Sequence, residues 1–144
     1  MGLITQDIDT LLYKILNASS DLKTLINGKI YKGGFRPTNS GKEDISINTI
    51  ALTRSQPQIA ASNINIHIPD VQTTIGGNVE FAPDTVKLKS VGEKAISVIN
   101  AALVSSVQSG HSVRVSDQRT FRNDDNETKE HFQNIRIELI IPNT

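Results

Sequence analysis

Residues 63–68 read NINIHI, and this strict alternation of isoleucine with polar residues decides the fold. Ile64, Ile66 and Ile68 share one side of an extended chain, because successive side chains of a strand point to opposite faces. The same period of two recurs in residues 135–141, which read IRIELII. We therefore predict a sheet with one apolar face and one polar face.

The strand that contains residues 63–68 is predicted to pair with the segment just before it in the sequence. Residues 44–54 alternate and then change phase, which predicts a β-bulge near Asn48 and Thr49. Pro57 separates this stretch from residues 58–68, where the alternation resumes. We predict that the two stretches pair as an antiparallel hairpin.

Two amphipathic helices are predicted to cover the apolar face. Residues 3–16 place their leucines and isoleucines three and four positions apart, with Asp7 and Asp9 outside the apolar face. Residues 90–93 read SVGE, which is the spacing of a capping box, and an apolar stripe follows until Gly110. We expect the second helix to begin at this box.

A short helix and a strand are predicted between these elements. Ser19 and Asp21 suit the beginning of a helix, and Asn27 with Gly28 suits its end. Residues 29–31 then begin a strand. The predicted fold class is α+β: a mainly antiparallel sheet of four to five strands, packed against an N-terminal helix and one long helix.

Length and composition limit the classes of function. The chain has 144 residues, with 15 Lys plus Arg, 15 Asp plus Glu and no cysteine. We expect one domain over residues 1–144, with no disulfides and no thiol chemistry. Zero net charge argues against a strongly basic nucleic-acid binder, and no apolar run is long enough to span a membrane. We expect a soluble protein in the cytoplasm.

No catalytic constellation stands out. The three histidines, His67, His111 and His131, form no pair at metal-ligand spacing, so we interpret them as solvated. No serine lies in a Gly-x-Ser-x-Gly motif, and no glycine-rich loop ends in Gly-Lys-Ser/Thr. We therefore expect no enzyme activity, no cofactor and no metal ligands.

Three polar segments are long for a domain of this size, and we expect them in subunit contacts: residues 33–43, 70–85 and 122–131. Within the second, Gly76-Gly77 suits either a small hairpin or an open loop. Arginines on neighbouring strands alternate with acidic residues, a pattern typical of a subunit contact or a solvated face. The candidate interface residues are Arg36, Lys42, Arg114, Arg119, Arg122, Asp124, Asp125, Arg136 and Glu138.

The opening of the chain resembles a known family. Residues 21–23 read DLK and residues 28–31 read GKIY, and this order is similar to the start of tail-completion or tail-terminator proteins of long-tailed phages. The match covers about a quarter of the chain. Beyond Lys32, only the order of strands, long helix and terminal strands agrees, and residues 70–85 are longer than that pattern needs.

The resemblance implies a structural virion protein without enzyme activity. Members of this family form rings, often hexameric, that cap the tail tube and join it to the neck. The implied partners are copies of this chain, the tail tube, and neck or head-completion proteins, with no membrane and no sequence-specific nucleic acid. Such a protein is made in the cytoplasm of the host bacterium and ends in the virion.

Two other readings remain open. One is a different neck, connector or tail-tube-associated subunit with the same fold. The other is a small non-viral α+β module that binds a ligand or a peptide. A ring subunit is expected to assemble at high concentration, whereas a binding module is expected to stay monomeric and to be stabilised by its ligand.

Overall fold

The computed structural model describes residues 2–37, 40–104, 111–123 and 129–142. Three helices and seven strands follow one another along the chain. In order they are α1 (Thr5–Asn17), α2 (Ser20–Leu25), β1 (Ile30–Lys32), β2 (Asp44–Leu52), β3 (Gln58–Pro69), β4 (Val71–Ile75), β5 (Asn78–Ala82), α3 (Thr85–Val104), β6 (Ser112–Asn123) and β7 (Glu130–Ile141).

Helix α1 confirms the N-terminal helix. Its first turn is closed by Asp7, whose Oδ2 accepts a hydrogen bond from the Ile4 backbone amide at 2.9 Å. Ile8, Leu12 and Leu16 are fully buried, as the apolar spacing predicts. Asp9 was expected outside the buried face, and that expectation is wrong because the residue is only 6% exposed.

The five-stranded sheet has the order β1-β2-β3-β7-β6. Strands β1 and β2 are parallel, and every other pair in this sheet is antiparallel. The β2–β3 hairpin is confirmed, with its bulge between Thr49 and Ala51. The Thr49 amide at the bulge donates to Asp9 Oδ1 at 2.7 Å, so the buried carboxylate satisfies an amide next to the irregularity in the ladder.

Helix α2 confirms the short second helix. The Ser19 hydroxyl accepts from the Leu22 amide at 3.1 Å, as expected of an N-cap. The helix ends at Leu25, earlier than Asn27-Gly28. Gly28 instead permits a close approach of two segments, because a Cβ at this position would overlap Asp44 Oδ1 and the Glu43 carbonyl oxygen.

Helix α3 begins five residues before the predicted capping box. Its first turn is held by Asp84, whose Oδ1 accepts from the Lys87 amide at 3.1 Å and whose carbonyl accepts from the Leu88 amide at 2.9 Å. The Ser90 hydroxyl donates to the Lys87 carbonyl within the helix, so the predicted cap is wrong. The predicted end at Gly110 lies outside the described residues.

All three helices lie on one face of the sheet. The buried apolar side chains form a single cluster, to which α1 contributes Leu12, α2 Leu22, α3 Val91, β3 Ile64 and β7 Ile137. This arrangement of helices on one face of a mainly antiparallel sheet is an α+β fold. No helix in the described part of the chain is long and apolar enough to cross a membrane.

A second, two-stranded sheet is formed by β4 and β5. Gly76 and Gly77 both have positive φ, +58° and +83°, which is the backbone that a tight two-residue hairpin turn requires. Of the two readings of residues 70–85, the hairpin is therefore the one observed. Among the described helices and strands, β4 and β5 contact only each other.

Candidate subunit interface

The face of the five-stranded sheet opposite the helices carries polar side chains. Because β3 alternates, Ile64, Ile66 and Ile68 point to the helices while the residues between them point away. The side chains that the strand register places on this uncovered face are Asn48 of β2, Asn63 and Asn65 of β3, Asn134, Arg136 and Glu138 of β7, and Arg114, Asp117 and Arg119 of β6. Each of them is partly or fully exposed.

Charged side chains on this uncovered face pair across and along the strands. The Arg114 guanidinium donates two hydrogen bonds to the Glu138 carboxylate, at 3.2 and 3.3 Å. Arg119 Nε lies 3.0 Å from Asp117 Oδ2 on the same strand. The Arg114 side chain is 71% exposed, and exposed pairs of this kind contribute about 0–1 kcal/mol to stability. Their charges therefore remain accessible to a partner.

Amide side chains fill the centre of the uncovered face. Asn134 Nδ2 donates to Asn65 Oδ1 at 2.7 Å, and Arg136 Nε donates to Asn63 Oδ1 at 3.2 Å. Amides can donate and accept at once, so this row offers hydrogen bonds of both kinds to a second surface.

Apolar residues lie at both ends of the uncovered face. Phe121 and Phe132 stack with ring centroids 5.2 Å apart, and Phe121 is 41% exposed. At the other end, Ile59 and Ile140 are paired in register, and each is 39% exposed. A polar centre with exposed apolar groups at its ends is chemically suited to contact another protein surface.

One corner of this face is closed by the segment that follows β1. The Arg36 guanidinium is bidentate to Glu130, at 2.9 and 3.1 Å, and its Nε donates to Asp44 Oδ2 at 2.9 Å. The side chains of Arg36, Asp44 and Glu130 are 10%, 1% and 0% exposed. We call Arg36, Asp44 and Glu130 the charged corner. It fastens the segment after β1 to the starts of β2 and β7.

Glu130 is held in its ionised form. Burial raises the pKa of this carboxyl, but the neighbouring His67 ring, hydrogen bonds from Arg36 and Asn123 and the charge of Arg36 outweigh the burial and lower the pKa to about 2. Asn123 Nδ2 donates to Glu130 Oε1 at 2.6 Å. At neutral pH Glu130 is therefore a carboxylate, opposite the guanidinium of Arg36.

Two histidines border this corner. His67 Nε2 is 2.9 Å from the Ser46 hydroxyl, and its Nδ1 is 3.5 Å from Glu130 Oε1. His131 Nδ1 lies 2.7 Å from Asp70 Oδ1. Their side chains are 11% and 17% exposed, so the interpretation of these two histidines as solvated is wrong. His67 does point away from the isoleucines of β3, as the alternation predicts.

The structure distributes the predicted interface residues over several places. Arg114, Arg119, Arg136 and Glu138 lie together on the uncovered face. The Arg122 position is opposite His131 in register, and the alternation of β6 places it on the other side of the sheet. Lys42 is exposed beside the charged corner, where its carbonyl accepts from Arg36. Asp124 and Asp125 lie outside the described residues.

Strand β6 forms one open edge of the sheet. The last predicted strand, β7, is not at an edge, because it lies between β3 and β6. The edge strand β6 has 12 residues, whereas the strand at the opposite edge, β1, has three. Among the described strands, β6 has a neighbour on one side only, and an edge strand of this length is a template for pairing with another chain.

Residues that the sequence did not single out complete the site. The asparagines at positions 63 and 65 stand between the isoleucines of NINIHI, so the alternation that predicts the core also predicts their face. Asp44 and Glu130 are the first residues of β2 and β7, and each precedes an alternating run. An acidic residue directly before an alternating run was the sequence signal that could have identified Asp44 and Glu130.

No site for a metal ion is evident in the described ranges, where no group of three or more His, Cys, Asp or Glu side chains could hold one. The charged corner instead uses Arg36 as the cation between its carboxylates. A comparison with models of known protein families and with curated proteins finds no match to this chain.

Proposed function

We propose that this protein is a structural subunit of a tailed phage or prophage, a tail-terminator or tail-completion protein that forms a ring with copies of itself. The ring caps the tail tube and joins it to the neck. The protein is synthesised in the cytoplasm of the host bacterium and becomes part of the virion. In this proposal it carries out no chemical reaction and needs no cofactor.

The observation that carries the proposal is the uncovered face of the sheet. It presents charges of both signs, with Arg114 and Arg119 set against Asp117 and Glu138, next to the open edge of β6. A surface with both signs can pair with a different surface of a neighbouring copy, and such head-to-tail contacts close into rings. The chain's net charge of zero suits this kind of packing between copies.

The assignment to a phage tail is supported by the resemblance of the opening segment. Its DLK motif, residues 21–23, lies on α2, and the last two residues of its GKIY motif, Ile30 and Tyr31, lie on β1. After Lys32, the order of strands, long helix and terminal strands read from the sequence also agrees with that family, whereas residues 70–85, which include β4 and β5, are longer than its pattern needs. Both points concern the path of the chain, and the function has to be tested on the assembled protein.

The test is assembly of the purified protein, followed by binding to isolated tail tubes. We expect closed rings in negative-stain electron microscopy and a single oligomer in native mass spectrometry. We expect Arg114→Glu to weaken assembly about tenfold, because it places two negative charges together on the uncovered face. Lys89→Glu is the matched control, since Lys89 is 76% exposed on α3, on the other side of the sheet.

The monomer of each variant has to remain folded, which circular dichroism and thermal unfolding will show. If Arg114→Glu and Lys89→Glu lose assembly equally, the uncovered face is not part of the interface between copies. A wild-type chain that stays monomeric at high concentration would contradict the proposal and favour a monomeric binding module. Rings that do not bind tail tubes would leave self-assembly in place but contradict the assignment to a tail.

A further inference from the structure

The β4–β5 hairpin lacks the support that a two-stranded sheet needs. It packs on no other described helix or strand, and an isolated hairpin is only marginally stable in water. Four large apolar side chains on it are exposed: Val71 by 43%, Ile75 by 61%, Val79 by 57% and Phe81 by 48%. Within the described chain, Lys129 lies over the Phe81 ring at 5.3 Å. The hairpin therefore has apolar surface that a second molecule would bury.

A groove of about 530 Å³ lies at the opposite end of the sheet, between residues 2–5 and the turn between β2 and β3. Leu3 and Ile4 on its wall are 39% and 59% exposed. Gln58 holds this wall in place, because its side chain accepts from the Leu3 amide at 2.9 Å and donates to the Thr53 carbonyl at 2.8 Å. The groove is therefore concave, partly apolar and fixed by hydrogen bonds.

The hairpin cannot reach the groove of its own chain. The groove includes Gln58, the first residue of β3, whereas the hairpin follows Pro69, the last residue of β3. A strand of 12 residues spans roughly 36 Å and a strand of five only roughly 17 Å, so the hairpin at one end of β3 does not extend to the groove at the other end. A β4–β5 hairpin that fills the groove therefore has to come from another copy of the chain.

The charges of the two surfaces are complementary. Glu80 is exposed on the hairpin, and Arg54 is exposed on the wall of the groove. Within the described residues, neither side chain takes part in an ion pair. Each can therefore pair with the other across a contact between two copies without losing a partner of its own.

We infer that the tip of the β4–β5 hairpin, with Ile75 and Val79, inserts into the groove of residues 2–5 and 52–58 on a second copy of this chain, where Glu80 pairs with Arg54. The inference rests on the proposed self-assembly and adds to the contact at the uncovered face a second contact, between the hairpin of one copy and the groove of the next. Each copy then presents one hairpin and one groove, and a contact between two different surfaces continues from copy to copy until a ring closes.

The chain has no cysteine, so introduced cysteines can report this contact directly. Asn78→Cys places a thiol at the tip of the hairpin, and Thr5→Cys places one in the groove. The two variants are mixed under mild oxidation, and intact mass spectrometry counts heterodimers and homodimers. A mixture of Asn78→Cys with Lys89→Cys is the control. We expect about tenfold more heterodimer in the first mixture, because docking raises the local concentration of the paired thiols.

Charge reversal tests the ion pair in the cysteine-free chain. We expect Glu80→Arg and Arg54→Glu each to weaken association about tenfold in sedimentation velocity. The chain that carries both changes is expected to associate as the wild type does. If the double variant is no better than either single variant, the pairing of Glu80 with Arg54 is wrong.

The outcomes separate this inference from the proposed function. If the wild type forms oligomers but the Asn78→Cys and Thr5→Cys mixture yields no more heterodimer than the control mixture, the inference is overturned and the proposed ring stands. A cross-linked assembly that fails to bind tail tubes would support the inference and contradict the phage function. A monomeric wild type, together with no excess of heterodimer in the Asn78→Cys and Thr5→Cys mixture, would overturn both.

Discussion

The charged corner and the Arg114–Glu138 pair lie on the same face of one sheet and use the same chemistry, yet their surroundings differ. At the corner, the Arg36 side chain is 10% exposed and bridges two buried carboxylates. Arg114 is 71% exposed and meets one carboxylate. Burial makes the corner part of the fold, because an unpaired charge there has no water to solvate it. Exposure leaves Arg114 and Glu138 available for a contact between molecules.

The largest effect is expected at Arg36. Arg36→Ala leaves Asp44 and Glu130 buried without their cation, and breaking a buried pair in this way costs about 3–5 kcal/mol of unfolding free energy. Arg114→Ala is the matched comparison, with an expected loss of about 0–1 kcal/mol. Urea unfolding of both variants measures the two losses. Equal losses would show that burial does not distinguish the two regions.

Acid is expected to weaken the corner by a similar amount. The pKa of Glu130 is lowered from 4.5 to about 2 in the folded chain, so folding favours the ionised carboxylate. This stabilisation is present in full above about pH 5, is lost as the pH falls towards 2, and amounts to about 3 kcal/mol. Urea unfolding between pH 7 and pH 2 measures it. Glu130→Gln is the control, because it removes this group's share of the pH dependence.

If Glu130→Gln loses the same unfolding free energy between pH 7 and pH 2 as the wild type, the effect of acid belongs to other carboxylates.

A smaller effect is expected from the backbone next to the corner. Gly28→Ala forces a methyl group against Asp44 and the Glu43 carbonyl, and we expect a loss of about 1–3 kcal/mol. Gly92→Ala is the matched control in the interior of α3, where the new methyl would be in ordinary van der Waals contact with Ile135 Cδ1 at 3.5 Å. It is expected to stabilise the chain by up to about 1 kcal/mol through helix propensity. Thermal unfolding compares the stabilities of the two variants. If Gly28→Ala is as stable as the wild type, the backbone at Gly28 can move away from the start of β2 without loss.

The sequence predicts those parts of the fold that depend on local patterns. Helix α1, the β2–β3 hairpin and its bulge each follow from the spacing of apolar residues over about ten positions. The start of α3 was missed because SVGE also fits the interior of a helix, while Asp84 after Pro83 supplies the cap that the structure uses. A capping pattern therefore does not fix the first residue of a helix.

The candidate interface could be predicted only in part. Arg114, Arg119, Arg136 and Glu138 reach the uncovered face because strand alternation is local. The charged corner could not be found in this way, since Arg36 and Glu130 are 94 residues apart and only the strand order joins them. Glu130 sits where polar turn residues were expected, and its burial depends on a segment that follows a different strand.

The position of β7 has a consequence for how the molecule is made. It lies between β3 and β6 and completes the sheet from within, although it is synthesised after every other described strand. Until β7 emerges from the ribosome, the edge of β3 opposite β2 and the inner edge of β6 lack the strand that pairs with both of them. The nascent chain therefore depends on a late, long-range pairing, and holdase chaperones would find their best targets in that interval.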